Sequence, residues 1–219
     1  MENKGRVVFL SGLGADHRAF SLLDLDDFDT KFVDWIDPLD GESFQHYGLR
    51  LTEDLHLSPQ DSLVGLSMGG IIAQEIAETI PVRKIVLISS LKHDQDEPWI
   101  FPFGRKIGFP SPLSPKAIKL AIKGLLNIYP PLRKDHLKIF KEMVESFSPE
   151  FYYWAIKGIL TWDHPTVNVP IAQIHGTKDE VFPPANAKGA EMITGATHLM
   201  VATHAQQVSA FLKKELTNP

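Results

Sequence analysis

The chain has 219 residues, 43% of them apolar and 22% charged, with no cysteine and a formal net charge of −5. That length carries one domain with a full hydrophobic core. The composition excludes disulfides, thiolate metal sites and a cysteine nucleophile, and a mildly acidic balance gives no electrostatic reason to expect nucleic acid or an anionic membrane surface as partner. Met1 to Arg6 leads into Val7-Val8-Phe9-Leu10. That run is too short for a signal-peptide core, and no run approaches the roughly 18 apolar residues that cross a bilayer. The expectation is a soluble cytoplasmic protein.

Val7 to Leu10 is β-branched and aromatic and ends in Ser11-Gly12-Leu13-Gly14, a buried strand running into a glycine-rich loop. Phe32 to Ile36 predicts a second strand, stopped by Asp37-Pro38. Ser43 to Leu55 places Phe44, Tyr47, Leu51 and Leu55 at helical spacing, with Ser43 as N-cap. Asp61 to Leu66 is a third strand and Gly69 to Ile80 a helix carrying Ile72, Ile76 and Ile80 on one face. Lys84 to Ser89 is a fourth strand, apolar without alternation, as a parallel sheet covered on both faces requires.

The alternation of strand and helix breaks after Ser90. Between Leu91 and Trp162 the sequence offers prolines, aromatics and two helical segments, Lys116 to Leu126 and Leu132 to Phe147. A strand at Ile171 to Gly176, a short one near Ala190 to Ile193 and a helix from about Thr203 to Leu216 complete the pattern. Strands alternating with helices imply parallel pairing and right-handed crossovers. The expected fold class is α/β: a three-layer α/β/α sandwich with a mostly parallel sheet. Residues 1–90 and 163–219 form its core and residues 91–162 a helical insertion within the single domain.

Gly65-Leu66-Ser67-Met68-Gly69 fits the G-x-S-x-G nucleophile elbow, with a strand leading in and a helix leading out. Small flanking residues permit the tight turn that lifts the Ser67 hydroxyl above the sheet. The helix N-terminus beneath favours the negative charge of a tetrahedral intermediate. A serine hydroxyl needs a base. Of nine histidines, His198 in Gly195-Ala196-Thr197-His198 lies between the last strand and last helix, where a loop reaches the elbow. His164, His175 and His204 are weaker candidates. The acid that orients the base is expected at Asp179, directly after a strand. Glu180 is the first alternative, and Asp94 and Asp96 after the fourth strand the second. The order Ser67, Asp179, His198 is that expected for this architecture. The backbone N–H groups of Met68 and Leu13 are candidates for the oxyanion hole.

These motifs together resemble the α/β-hydrolase superfamily, and the likeness spans nearly the whole chain. Gly65 to Gly70 is similar to the elbow of its small lid-bearing members, Gly176 to Asp179 to their acid loop and Gly195 to His198 to their histidine loop. The resemblance implies that residues 91–162 are a lid over the site. Two departures stand out. Many members have His-Gly where this chain has Ser11-Gly12. The chain also begins at what would be the family's third strand, so the sheet should have fewer than eight.

The expected activity is hydrolysis of a small ester or thioester through an acyl-serine, a carboxylesterase-like reaction on a small-molecule substrate. The alternatives are a carbon–carbon bond hydrolase or lyase on the same fold, or a ligand-binding member without catalysis. Serine rather than aspartate at position 67 disfavours a dehalogenase. Trp99 and Trp162, at the junctions of the insertion, are candidate pocket residues. No metal or cofactor is expected, because ligand-spaced histidines and carboxylates, a phosphate loop and a full dinucleotide fingerprint are all lacking. The sequence does not indicate an oligomeric state.

Overall fold

The computed structural model describes residues 5–92, 98, 100–106, 114–128, 132, 134–163 and 165–217. Six strands form one sheet: β1 (Val7–Leu10), β2 (Thr30–Val33), β3 (Ser62–Leu66), β4 (Lys84–Ile88), β5 (Ile171–Gly176) and β6 (Glu191–Ile193). Their order is β2-β1-β3-β4-β5-β6 and every pairing is parallel. Because side chains alternate along a strand, the unbroken apolar runs supply two faces at once. Val8, Leu10, Leu63, Ile85 and Leu87 enter one core, and Val7, Phe9, Val64, Val86 and Ile88 enter the other.

Helices α1 (Phe44–Thr52) and α2 (Met68–Thr79) cover the first face, while α7 (Met200–Thr203) and α8 (Ala205–Thr217) cover the second. Ser43 caps α1 as expected, its hydroxyl accepting the His46 N–H at 3.1 Å. Beyond Thr52 that helix tightens into a 3₁₀ turn over Glu53–Leu55. The second strand ends at Val33, earlier than the apolar run predicts, and Trp35 turns into the interior instead.

Among the described residues four helices lie between β4 and β5: α3 (Ile100–Lys106), α4 (Pro115–Ile128), α5 (Lys134–Ser146) and α6 (Pro149–Leu160). The sequence predicts α4 and α5 but not α3 or α6. Phe151-Tyr152-Tyr153-Trp154 is a run of modest helix formers, and its helix rests on packing. The signal for its start was present: Ser148 caps the first turn by accepting the Phe151 N–H at 3.1 Å, and Pro149 occupies the first turn. Phe101, Phe151, Ala155, Leu160 and Trp162 join the core that contains Leu63 and Ile72. The Trp154 indole donates to the Glu42 carbonyl at 2.7 Å. The inserted helices therefore share the core of the sheet.

The chain leaves β1 toward β2 on one side, while β3 lies on the other. Ligands of open parallel sheets sit at such a divide, beyond the carboxyl ends of the strands. Here that position is occupied by the loop after β1 and the turn after β3.

Candidate active site

Ser67 sits between β3 and α2 with φ 53° and ψ −120°, a conformation that costs a non-glycine residue strain. The surroundings hold it there. Its N–H donates to the Ile88 carbonyl at 2.9 Å, and its carbonyl accepts the Gly70 N–H at 2.9 Å and the Ser90 hydroxyl at 2.7 Å. The small residues follow from close approach. A Cβ on Gly65 would lie 2.3 Å from the Gly70 Cα, and one on Gly69 would lie 2.2 Å from the Leu10 carbonyl oxygen.

The loop after β6 brings the His198 Nε2 to 2.9 Å from the Ser67 Oγ. The His198 Nδ1 lies 2.8 and 3.0 Å from the two carboxylate oxygens of Asp179. An ionised carboxylate only accepts, so Nδ1 carries the proton and Nε2 is left to accept from the Ser67 hydroxyl. Asp179 is buried, and its Oδ1 also accepts the Val181 and Phe182 N–H groups at 2.9 Å each. Burial alone would push its carboxyl up. The His198 imidazole and the Phe182 N–H outweigh burial and hold it below the ordinary carboxylate value. Ser67 and His198 are both buried, each with 9% of its surface exposed.

His175, at the end of β5, is fully buried behind this chain of groups. Its Nε2 lies 2.8 Å from the Phe182 carbonyl and 3.4 Å from the Asp179 Oδ2, which steadies the acid loop. The Phe182 ring meets the His198 ring edge-on with centroids 5.4 Å apart, and the Phe101 ring of α3 lies 6.2 Å from the Phe182 ring. Glu180 is exposed. His204 pairs with the Thr203 hydroxyl at 2.9 Å. Asp94, Asp96, Trp99 and His164 lie outside the described residues.

Met68 opens α2 directly after Ser67. The loop bearing Leu13 passes close beside the serine, since a Cβ on Gly12 would sit 3.3 Å from the Ser67 Cβ. Ser11, where a histidine is common in the resembling family, is buried, and its hydroxyl donates to the Ala15 carbonyl at 2.7 Å. Trp162 is buried with its indole N–H on the Glu75 Oε1 at 2.6 Å. It borders a cleft of about 830 Å³ shared with Glu42, Glu78 and Trp154, and neither Ser67 nor His198 lines that cleft.

The sequence does not announce the hydrogen bonds that Trp35, Ser90 and Glu75 make around the site. Each bond joins distant segments, and only Ser90 carried a positional hint, at the end of the strand beside the elbow. Among the described residues no group of three or more histidines and carboxylates is arranged to hold a metal ion, and no helix is long and apolar enough to cross a membrane.

A sequence model of the Alpha/beta hydrolase family matches residues 7–211. No curated protein matches the sequence. Solved structures similar to this chain include an esterase from Thermogutta terrifontis, 18% identical over 97% of this chain and 89% of the other, with a TM-score of 0.74. Another is an enol-lactonase from Burkholderia xenovorans LB400, 18% identical over 99% and 92%, with a TM-score of 0.73. A third is a bromoperoxidase from Bacillus anthracis, 18% identical over 98% and 92%, with a TM-score of 0.68. At these identities the likeness is one of fold.

Proposed function

Because the chain belongs to the alpha/beta hydrolase family, we propose that it is a serine hydrolase that cleaves a small ester or thioester through an acyl-serine. The observation that carries this reading is the unbroken chain from the Ser67 Oγ through both nitrogens of His198 to Asp179.

The Ser67 Oγ attacks the carbonyl carbon while the His198 Nε2 takes its proton. Asp179 holds the Nδ1–H and stabilises the imidazolium. The carbonyl oxygen becomes an oxyanion and accepts the Met68 and Leu13 N–H groups. Collapse of this intermediate expels the alcohol or thiol, which takes the proton back from Nε2. Water then attacks the acyl-serine, gives its proton to Nε2 and releases the acid, and the proton returns to Ser67. The helices of residues 91–162 act as a lid, and Phe101 reaches the site through Phe182. Similar structures described as an esterase and an enol-lactonase support ester substrates as the first class to test.

The experiment is steady-state hydrolysis of p-nitrophenyl acetate and of acyl thioesters by the wild type and by Ser67→Ala. Loss of turnover in the variant to the level of buffer supports the reading. Retention of wild-type turnover by Ser67→Ala refutes it. Cleavage of a β-diketone without esterase activity would instead favour carbon–carbon hydrolysis.

A further inference from the structure

We propose that Trp35 is a positioning residue that orients the Leu13 N–H toward the oxyanion. The inference rests on the function proposed above. It starts from the planarity of the peptide bond. In a trans peptide the carbonyl of Gly12 and the N–H of Leu13 share one plane and point in opposite directions. Fixing the Gly12 oxygen therefore fixes the direction of the Leu13 N–H.

Two donors hold that oxygen. The Ala15 N–H reaches it at 3.1 Å, closing the turn Gly12-Leu13-Gly14-Ala15. Gly14, at φ 70°, supplies the positive angle that the third residue of a type II turn requires. This bond is internal to the turn and does not tie it to the neighbouring strand. The second donor supplies that tie. The indole Nε1–H of Trp35 reaches the same oxygen at 3.2 Å from just beyond the carboxyl end of β2, the strand next to β1.

The indole is itself packed against two aromatic rings. Trp35 is buried, with the Tyr47 and Phe151 rings 6.1 and 6.4 Å from its own. The residue after it is tied as well. The Tyr47 hydroxyl donates to the Ile36 carbonyl at 2.7 Å and accepts the Ile36 N–H at 3.1 Å. A preorganised donor costs no reorganisation when the charge develops, which is the source of its catalytic value. In many relatives of the family a histidine precedes the loop glycine. Here Ser11 is spent on the Ala15 carbonyl, and the support of the loop comes from Trp35.

The test compares wild type with Trp35→Phe, which keeps an aromatic ring and removes the N–H. A second variant carries 3-benzothienylalanine at position 35, which preserves the bicyclic shape without the donor and serves should the phenylalanine variant fail to fold. Loss of a whole oxyanion donor costs about 10²–10³ in rate. A donor that remains but wanders should cost about tenfold. The expected result is a roughly tenfold lower kcat per active site with KM unchanged, and a matching loss in the rate of phosphonylation by a fluorophosphonate and in affinity for an alkyl boronic acid. A role confined to packing would lower Tm and leave all three per-site quantities at wild-type values, and that outcome overturns the inference. A wild type that neither hydrolyses esters nor reacts with fluorophosphonate would overturn the proposed function and this inference together. A wild type labelled at Ser67, with equal rates in both variants, would overturn the inference alone.

Discussion

Two buried carboxylates in this molecule respond to pH in opposite directions. Asp179 is held below the ordinary carboxylate value because His198 and backbone N–H groups outweigh the effect of burial. A depressed native pKa contributes stability that is present above the unfolded value, near 4, and is lost as pH falls. Asp179→Asn removes that contribution and leaves the His198 tautomer undefined. The expected result is a fall in kcat of about 10⁴ with the fold retained, and a stability gap from wild type that closes below about pH 4, measured by urea unfolding. Glu75 is the converse. Burial pushes its carboxyl up against the hydrogen bond from Trp162, and Glu78 and Asp163 push it further. A raised native pKa gives stability that is complete below the unfolded value and lost as pH rises through the native one. Glu75→Gln keeps an acceptor for the Trp162 indole and removes the charge. It should equal or exceed wild type in stability at pH 7 and lose that advantage near pH 4. A Glu75→Gln variant that is less stable at pH 7 would contradict the assignment.

At the scale of elements, the turn at Ser67 is a packing solution. β3 and α2 meet at a turn where Gly65 faces the Gly70 backbone and Gly69 faces the carbonyls of Leu10 and Ser11. These neighbours are backbone atoms that cannot rotate away. Gly69→Ala should therefore cost about 3 kcal/mol or more, at the upper end of overpacking, read as a lower urea midpoint at unchanged slope. This is why the elbow was legible in the sequence, where steric demand writes itself as glycine at fixed spacing. The acid and histidine loops were legible because each follows a strand. Helix α6 was not, because Phe151 and Trp154 are placed by contacts with Trp35, Phe44 and Tyr47 rather than by local preference. Trp35 was illegible for a related reason. Its partner is a carbonyl 23 residues away, and no local pattern marks a donor aimed at another strand's loop.

For the molecule as a whole, the helices between β4 and β5 share a buried core with the sheet, so one cooperative transition is expected. Phe151 is 1% exposed and Ala155 fully buried in the cluster that also holds Leu63, Ile72 and Ile85. A Cβ on Gly158 of α6 would fall 2.2 Å from the Phe44 ring of α1, so the two helices meet without slack. Phe151→Ala should cost about 3–5 kcal/mol. Tryptophan fluorescence and far-ultraviolet circular dichroism should lose signal in one coincident transition. Two separated transitions would show that the insertion folds apart from the sheet.

The central claim is that Ser67 becomes acylated. Rapid quenching of the wild type with p-nitrophenyl acetate, followed by mass analysis of the intact chain and its peptides, tests it most directly. The account predicts one acetyl group per chain, on the peptide containing Ser67, formed in a burst and absent from Ser67→Ala. Turnover of the ester with no adduct on that peptide, or with the adduct on another residue, would contradict it.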